Sequence, residues 1–159
     1  MQQLVVLQGP SQSGKTTTIK KVLYLLHERE PELEFRGKKW VECLEILRLK
    51  GVRIGISSRS DKFPDFRKNL DFILYEKKCD IGIVALNESM KGVPEVLEEF
   101  KNRDILIHKV QKYPIFCSRE SKEQQHELNI KAANKVLNKF NEIFENLLDP
   151  KSEESHDHC

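Results

Sequence analysis

Eight residues near the amino end carry the densest chemistry in the chain. Gly9, Pro10, Ser11, Gln12, Ser13, Gly14, Lys15 and Thr16 fit the pattern G-x-x-x-x-G-K-[ST] at every position. Glycines at both ends of the motif leave backbone without side chains, so successive N–H groups can turn toward one anionic group. Lys15 adds a mobile cation, and the Thr16 hydroxyl adds a hard oxygen donor. Together these types suit a phosphate chain: Lys15 reaches its outer phosphates, Thr16 offers its hydroxyl to Mg²⁺, and Thr17 faces the inner phosphate. Mg²⁺ prefers octahedral oxygen coordination and sheds water reluctantly, so it asks little more of the protein than Thr16 and one carboxylate.

The loop needs elements to hold it. Leu4-Val5-Val6-Leu7 precedes it as an apolar strand, and residues 15–30 follow as a helix whose positive dipole end faces the anion. With strand before and helix after, the segment resembles the phosphate loop of the P-loop NTPase superfamily. The resemblance rests on Gly9, Gly14, Lys15 and Thr16 with their flanks and covers residues 1–30. It implies a nucleoside triphosphate with Mg²⁺ as ligands, cradled by residues 9–17. The run Gly14-Lys15-Thr16-Thr17-Thr18 is similar to the signal-recognition and MinD-like branch. The small size is equally similar to the nucleotide kinases.

The rest of the chain alternates strand and helix signals. Residues 47–56 alternate like a hairpin turning at Lys50-Gly51, although Trp40, Cys43, Leu44 and Leu47 also fit a helical stripe; the hairpin is favoured. Residues 66–78 read as a helix with Phe66, Leu70, Ile73 and Leu74 on one side, and residues 81–86 as a buried parallel strand. Pro94 opens another helix to residue 101, and residues 105–110 form the last strand. Leu128, Ala132, Val136, Phe140 and Phe144 or Leu147 repeat at helical spacing over residues 122–148, a core-facing stripe. This order predicts a three-layer α/β P-loop fold with a mostly parallel sheet flanked by helices, and an antiparallel hairpin at residues 47–56.

Such a sheet binds ligands beyond the carboxyl ends of its strands. That sorts the polar residues: Asp80 and Asp104 lead into strands and are expected to be structural. The segment Ser57-Ser58-Arg59-Ser60-Asp61 leaves one, as do Asn87-Glu88-Ser89 and residues 109–113. Arg59 is expected to neutralise charge on a transferred phosphoryl group and Asp61 to serve Mg²⁺ or a nucleophile. The plainer alternative makes Ser60 or Asp61 a helix cap. No aspartate follows an apolar strand directly, so Glu88 is the rival metal-side carboxylate.

Bulk properties bound the answer further. The chain has 159 residues, with 27 basic and 25 acidic, a near balance that gives no electrostatic reason to expect nucleic acid or an anionic membrane. The length fits one domain, residues 1–149, with a polar tail at 150–159. Cys43, Cys79, Cys117 and Cys159 form no C-x-x-C pair, and reduced structural thiols are expected. No apolar run reaches membrane-spanning length and no secretion signal opens the chain, so a cytoplasmic protein is expected. A guanine-specific N-K-x-D pattern is absent, which favours ATP.

Three functions remain open. One is a small ATP-hydrolysing protein that reports to a protein partner. A second is a kinase acting on a nucleotide or other small molecule, with Arg53, Arg59, Arg103 or Arg119 clamping phosphates. The third is a nucleotide-gated interaction module with little turnover.

Overall fold

The computed structural model describes residues 1–9, 14–29, 34–36, 44–58, 62–112 and 122–148. Within them the chain forms β1 (Gln3–Gly9), α1 (Lys15–Arg29), β2 (Glu34–Arg36), β3 (Leu44–Leu49), β4 (Val52–Ser57) and α2 (Phe63–Asp71). A π-helical turn (Phe72–Glu76) continues α2, followed by β5 (Ile81–Asn87), α3 (Val93–Asn102), β6 (Leu106–Gln111) and α4 (Lys122–Leu148).

The strands make one six-stranded sheet in the order β2-β3-β4-β5-β1-β6. β4, β5, β1 and β6 run parallel, while β3 is antiparallel to both β2 and β4. All seven residues of β5 are buried, which is why that strand reads as a continuous apolar run rather than an alternation. The expected hairpin is present and turns at Lys50 and Gly51, with φ of 48° and 83°. Two positive φ angles match the right-handed twist of the flanking strands, and glycine accepts the second without strain. Trp40 and Cys43 of the competing helical stripe lie outside the described residues.

Helices cover both faces of the sheet. On one face Ile19, Val22, Leu23 and Leu26 of α1 pack with Ala133, Val136, Leu137 and Phe140 of α4 over Val5, Leu7, Ile54, Ile56, Ile81 and Ile83. On the other, Phe66 and Leu70 of α2, Ile73 and Leu74 of the π-turn, and Val93, Val96 and Phe100 of α3 pack over Leu4, Val6, Val84 and Leu86. Arg67 ties the helices of this second face together, its guanidinium donating to Asp71 at 3.1 Å and to Glu99 at 2.7 Å. The Arg67 bond holds the Glu99 carboxyl below the ordinary carboxylate range.

Three expectations are corrected. The helix expected at residues 66–78 starts earlier, at Phe63, because Pro64 is pre-set for a first helical turn. It then widens into the π-turn, closed by the Lys77 N–H donating to the Phe72 carbonyl at 2.8 Å. Leu128, expected in the core stripe of α4, is 37% exposed, and Asn129 is buried next to it. Arg53 and Arg103, expected as phosphate clamps, stand toward the amino edge of the sheet instead of the carboxyl edge: Arg53 donates to the Lys77 carbonyl at 2.7 Å and Arg103 lies 4.8 Å over the Tyr75 ring.

Candidate functional site

The burial of polar groups is lopsided. Among the described residues the buried polar side chains are Lys15, Thr18, Glu45, Ser57, Ser58, Asn87, Lys112 and Asn129. Ser57, Ser58, Asn87 and Lys112 stand at the carboxyl ends of β4, β5 and β6; Lys15 and Thr18 belong to the first turn of α1. Asn129 reaches the same place from α4, and Glu45 lies on β3 opposite Ile56, near the end of β4. Burying polar groups costs free energy unless they meet partners, so their collection at one edge makes that edge a network of polar contacts rather than plain packing.

The local geometry follows from the strand register. β1 ends at Gly9, level with Asn87 on β5, and the Glu88 N–H donates to the Gly9 carbonyl at 3.3 Å. Gly14 has φ of 84°, a left-handed conformation that side-chain-bearing residues avoid, and α1 starts directly after it. The first backbone bond of α1 runs from the Thr18 N–H to the Gly14 carbonyl at 2.9 Å, so the opening turn of α1 carries the N–H groups of a helix N-terminus. The Thr18 hydroxyl has one proton, gives it to the Gly14 carbonyl at 2.8 Å and meets the Asn129 side-chain amide at 3.4 Å. The Thr16 hydroxyl lies 3.5 Å from the Ser58 carbonyl, which brings the start of α1 over the end of β4.

The other exits are anchored as well. The Ser57 hydroxyl accepts from Asn69 of α2 at 3.1 Å, and the Asn87 side-chain oxygen accepts from the Ser89 N–H at 3.2 Å and hydroxyl at 2.8 Å. The Lys112 N–H donates to the Gln8 carbonyl at 2.8 Å, which fixes the chain beyond β6 beside the end of β1. Neighbouring strands β5 and β1 send the chain to opposite faces, β1 into α1 and β5 into α3. A crevice opens at such a switch point.

Several expected site residues thus come together: Gly9, Gly14, Lys15 and Thr16 at the β1–α1 junction, Ser58 beside Thr16, and Asn87 beside Gly9. Thr17 is exposed, and so is Glu88, whose backbone rather than its side chain joins the junction. Pro10, Ser11, Gln12, Ser13, Arg59, Ser60, Asp61, Tyr113 and Arg119 lie outside the described residues. Asp80 is structural, as expected: its carboxylate accepts from the Arg53 N–H at 2.9 Å, at the amino edge.

The sequence reading missed Glu45 and Asn129. The signal for Glu45 lies in Leu44-Glu45-Ile46-Leu47-Arg48-Leu49, where a glutamate shares the face of Leu47 and Leu49, both core residues. Mg²⁺ is compatible with the donors present, which are hard oxygens: the Thr16 hydroxyl, the Ser58 carbonyl and the Glu45 carboxylate. Among the described residues no group of three or more His, Cys, Asp and Glu side chains could hold a metal by itself. A cation here therefore depends on ligands beyond protein carboxylates, as Mg²⁺ on a phosphate chain does.

Comparison with known proteins adds one partial likeness. The chain is 36% identical over 72 residues to Protein TRIGALACTOSYLDIACYLGLYCEROL 3, chloroplastic, of Arabidopsis thaliana; the match covers 43% of this chain and 21% of that protein. The chain thus corresponds to about a fifth of that protein's length. No protein-family model matches the chain, and no solved structure does. No helix among the described residues is long and apolar enough to cross a membrane.

Proposed function

We propose that the protein is a Mg²⁺-dependent ATP-binding and ATP-hydrolysing protein of the P-loop class, cytoplasmic, acting with a protein partner. The observation that carries this reading is the gathering of buried polar side chains around the start of α1, at the carboxyl edge of a mostly parallel sheet. A phosphate chain at Gly14 meets helix N-terminal N–H groups, and Lys15 neutralises its outer charge. The Thr16 hydroxyl, held near the Ser58 carbonyl, orients toward the metal side. Mg²⁺, when bound, draws charge from the phosphoryl oxygens; the chain's own work is to position and to exclude water, which Lys15 does from a site only 5% exposed.

A groove favours the kinase as second reading. About 650 Å³ of space runs along α2 and the π-turn, lined by Leu44, Pro64, Arg67, Lys68, Phe72 and Tyr75 among others. It borders Asn69, whose amide donates to the Ser57 hydroxyl at the carboxyl edge. Phosphate release from ATP measured with and without added acceptors separates the two readings. Release without acceptor, abolished by Lys15→Ala, is the expected result. Turnover only in the presence of a nucleoside monophosphate selects the kinase, and binding without turnover selects the interaction module.

A further inference from the structure

We infer that Asn69 of α2 is a positioning residue of this site: through Ser57 it holds the end of β4 so that the Ser58 carbonyl faces the Thr16 hydroxyl and turns that hydroxyl's lone pairs toward Mg²⁺. The inference rests on the nucleotide reading above. A threonine hydroxyl has one proton and two lone pairs, so it serves a cation only when its proton is directed elsewhere. Thr16 has that outlet in the Ser58 carbonyl, 3.5 Å away. Ser58 is fully buried, so solvent does not reach its carbonyl to take the place of Thr16. How well Thr16 serves a metal thus depends on where that carbonyl stands.

The carbonyl lies just past the last ladder pair of β4. Ser57 is matched with Leu44 on β3 and Val84 on β5, and among the described residues both ladders end there. The direction of the chain at Ser58 is therefore set by how Ser57 is held. Side chains alternate along β4: Ile54 and Ile56 face the α1 layer, whereas Gly55 faces Ile73 and Ser57 faces α2. Ser57 is buried, and its hydroxyl accepts from the Asn69 amide at 3.1 Å. Asn69 follows Phe66 by three residues and precedes Leu70, the two buried residues of α2, so it stands beside the helix's apolar stripe. Asparagine is a poorer helix-interior residue than leucine or alanine, and here its amide goes to the sheet. Asn69, Ser57, Ser58 and Thr16 thus form a continuous line, two hydrogen bonds and one peptide link long, from the α2 layer across the carboxyl edge of the sheet to the first turn of α1.

The test is calorimetric titration of a non-hydrolysable ATP analogue into the full chain, from chelator alone to saturating MgCl₂, beside a melting curve for each variant. Wild type is expected to bind and to tighten as Mg²⁺ rises. Asn69→Ala is expected to keep the wild-type affinity in chelator while its Mg²⁺ midpoint moves up about 10-fold, the lower end of the loss that follows when the partner supporting a metal ligand is removed. Ser57→Ala is expected to shift the midpoint by the same amount, and the double variant by no more than either alone, because all three break one bond. Asp80→Asn, which removes a bond at the opposite edge of the sheet, is expected to leave the midpoint in place. A folded Asn69→Ala that melts earlier but keeps the wild-type midpoint, additive shifts in the double variant, or an equal shift in Asp80→Asn overturns the inference and leaves the nucleotide reading intact. Wild type that binds no triphosphate at any Mg²⁺ concentration overturns both. Should Asn69→Ala fail to fold, the smaller change Ser57→Ala decides: a raised midpoint upholds the inference, and a wild-type midpoint overturns it.

Discussion

Gly55 on β4 tests how tightly the second helical layer is fitted to the sheet. A Cβ at this position would lie 2.6 Å from Ile73 Cγ2, 2.8 Å from Cγ1 and 3.2 Å from Cys79 Sγ. Carbon atoms in contact sit about 3.5–4.0 Å apart, so Gly55→Ala forces the π-turn and β4 about 1 Å apart. Ile73 is fully buried and branched at Cβ, with both γ carbons in the contact, so its restricted χ1 gives it little room to move away. Overpacking of this kind costs roughly 1–3 kcal/mol, and the lost backbone freedom of the unfolded chain returns about 0.4–1 kcal/mol. The net is a destabilisation of about 1–2 kcal/mol, which at a urea m-value of about 2 kcal/mol/M lowers the unfolding midpoint by about 0.5–1 M. Double-mutant partners sharpen the test. Ile73→Val keeps both offending γ carbons and should give no relief, whereas Ile73→Ala removes them and should couple favourably with Gly55→Ala by about 1 kcal/mol. A Gly55→Ala midpoint equal to wild type, or equal relief from Ile73→Val and Ile73→Ala, refutes the close-fit reasoning.

Three further outcomes are expected. Burial pushes the Cys79 thiol up to about 12, so in the folded protein it should resist alkylation at pH 8 and react only after denaturation, as peptide mass mapping reads directly. Glu99 has a lowered folded-state value, so the stabilisation from its Arg67 bridge is present above its ordinary value of 4.5 and is lost as pH falls through the lowered one; Glu99→Gln should flatten the acid limb of a melting-temperature profile. On the proposed ATPase reading, Asp80→Asn should lower stability through its bond to the Arg53 N–H while leaving Mg²⁺-dependent turnover near wild type, and Asp61→Asn should do the reverse; equal turnover losses refute the sorting of carboxylates by sheet edge.

Much of the architecture is written in short-range pattern. The run from Ile81 to Leu86 is apolar because both its faces are covered, and the alternation around Lys50-Gly51 is visible because the turn demands two positive φ angles that few dipeptides supply. The start of α2 falls three residues before the apolar stripe that begins at Phe66, because Pro64 at the first helical turn lengthens the helix without adding to that stripe. The π-turn left no trace, since one extra residue per turn changes which side chains face inward without changing their types. Glu45 shows the deeper limit: its burial depends on β3 lying beside β4 and under the same helix layer, a non-local fact. The same holds for Asn129, which lies next to a leucine of better apparent credentials and was displaced in the reading by Leu128, yet is the residue that meets Thr18.

That last contact joins the two ends of the described chain. α4 lies far along the chain from α1, and its Asn129 meets the hydroxyl that closes the opening turn of α1, 111 residues earlier. During synthesis α1 must therefore wait, half-covered, until residues 122–148 are available to brace it. Nascent chains stopped before residue 122 should therefore lack the brace that α4 gives the opening turn of α1.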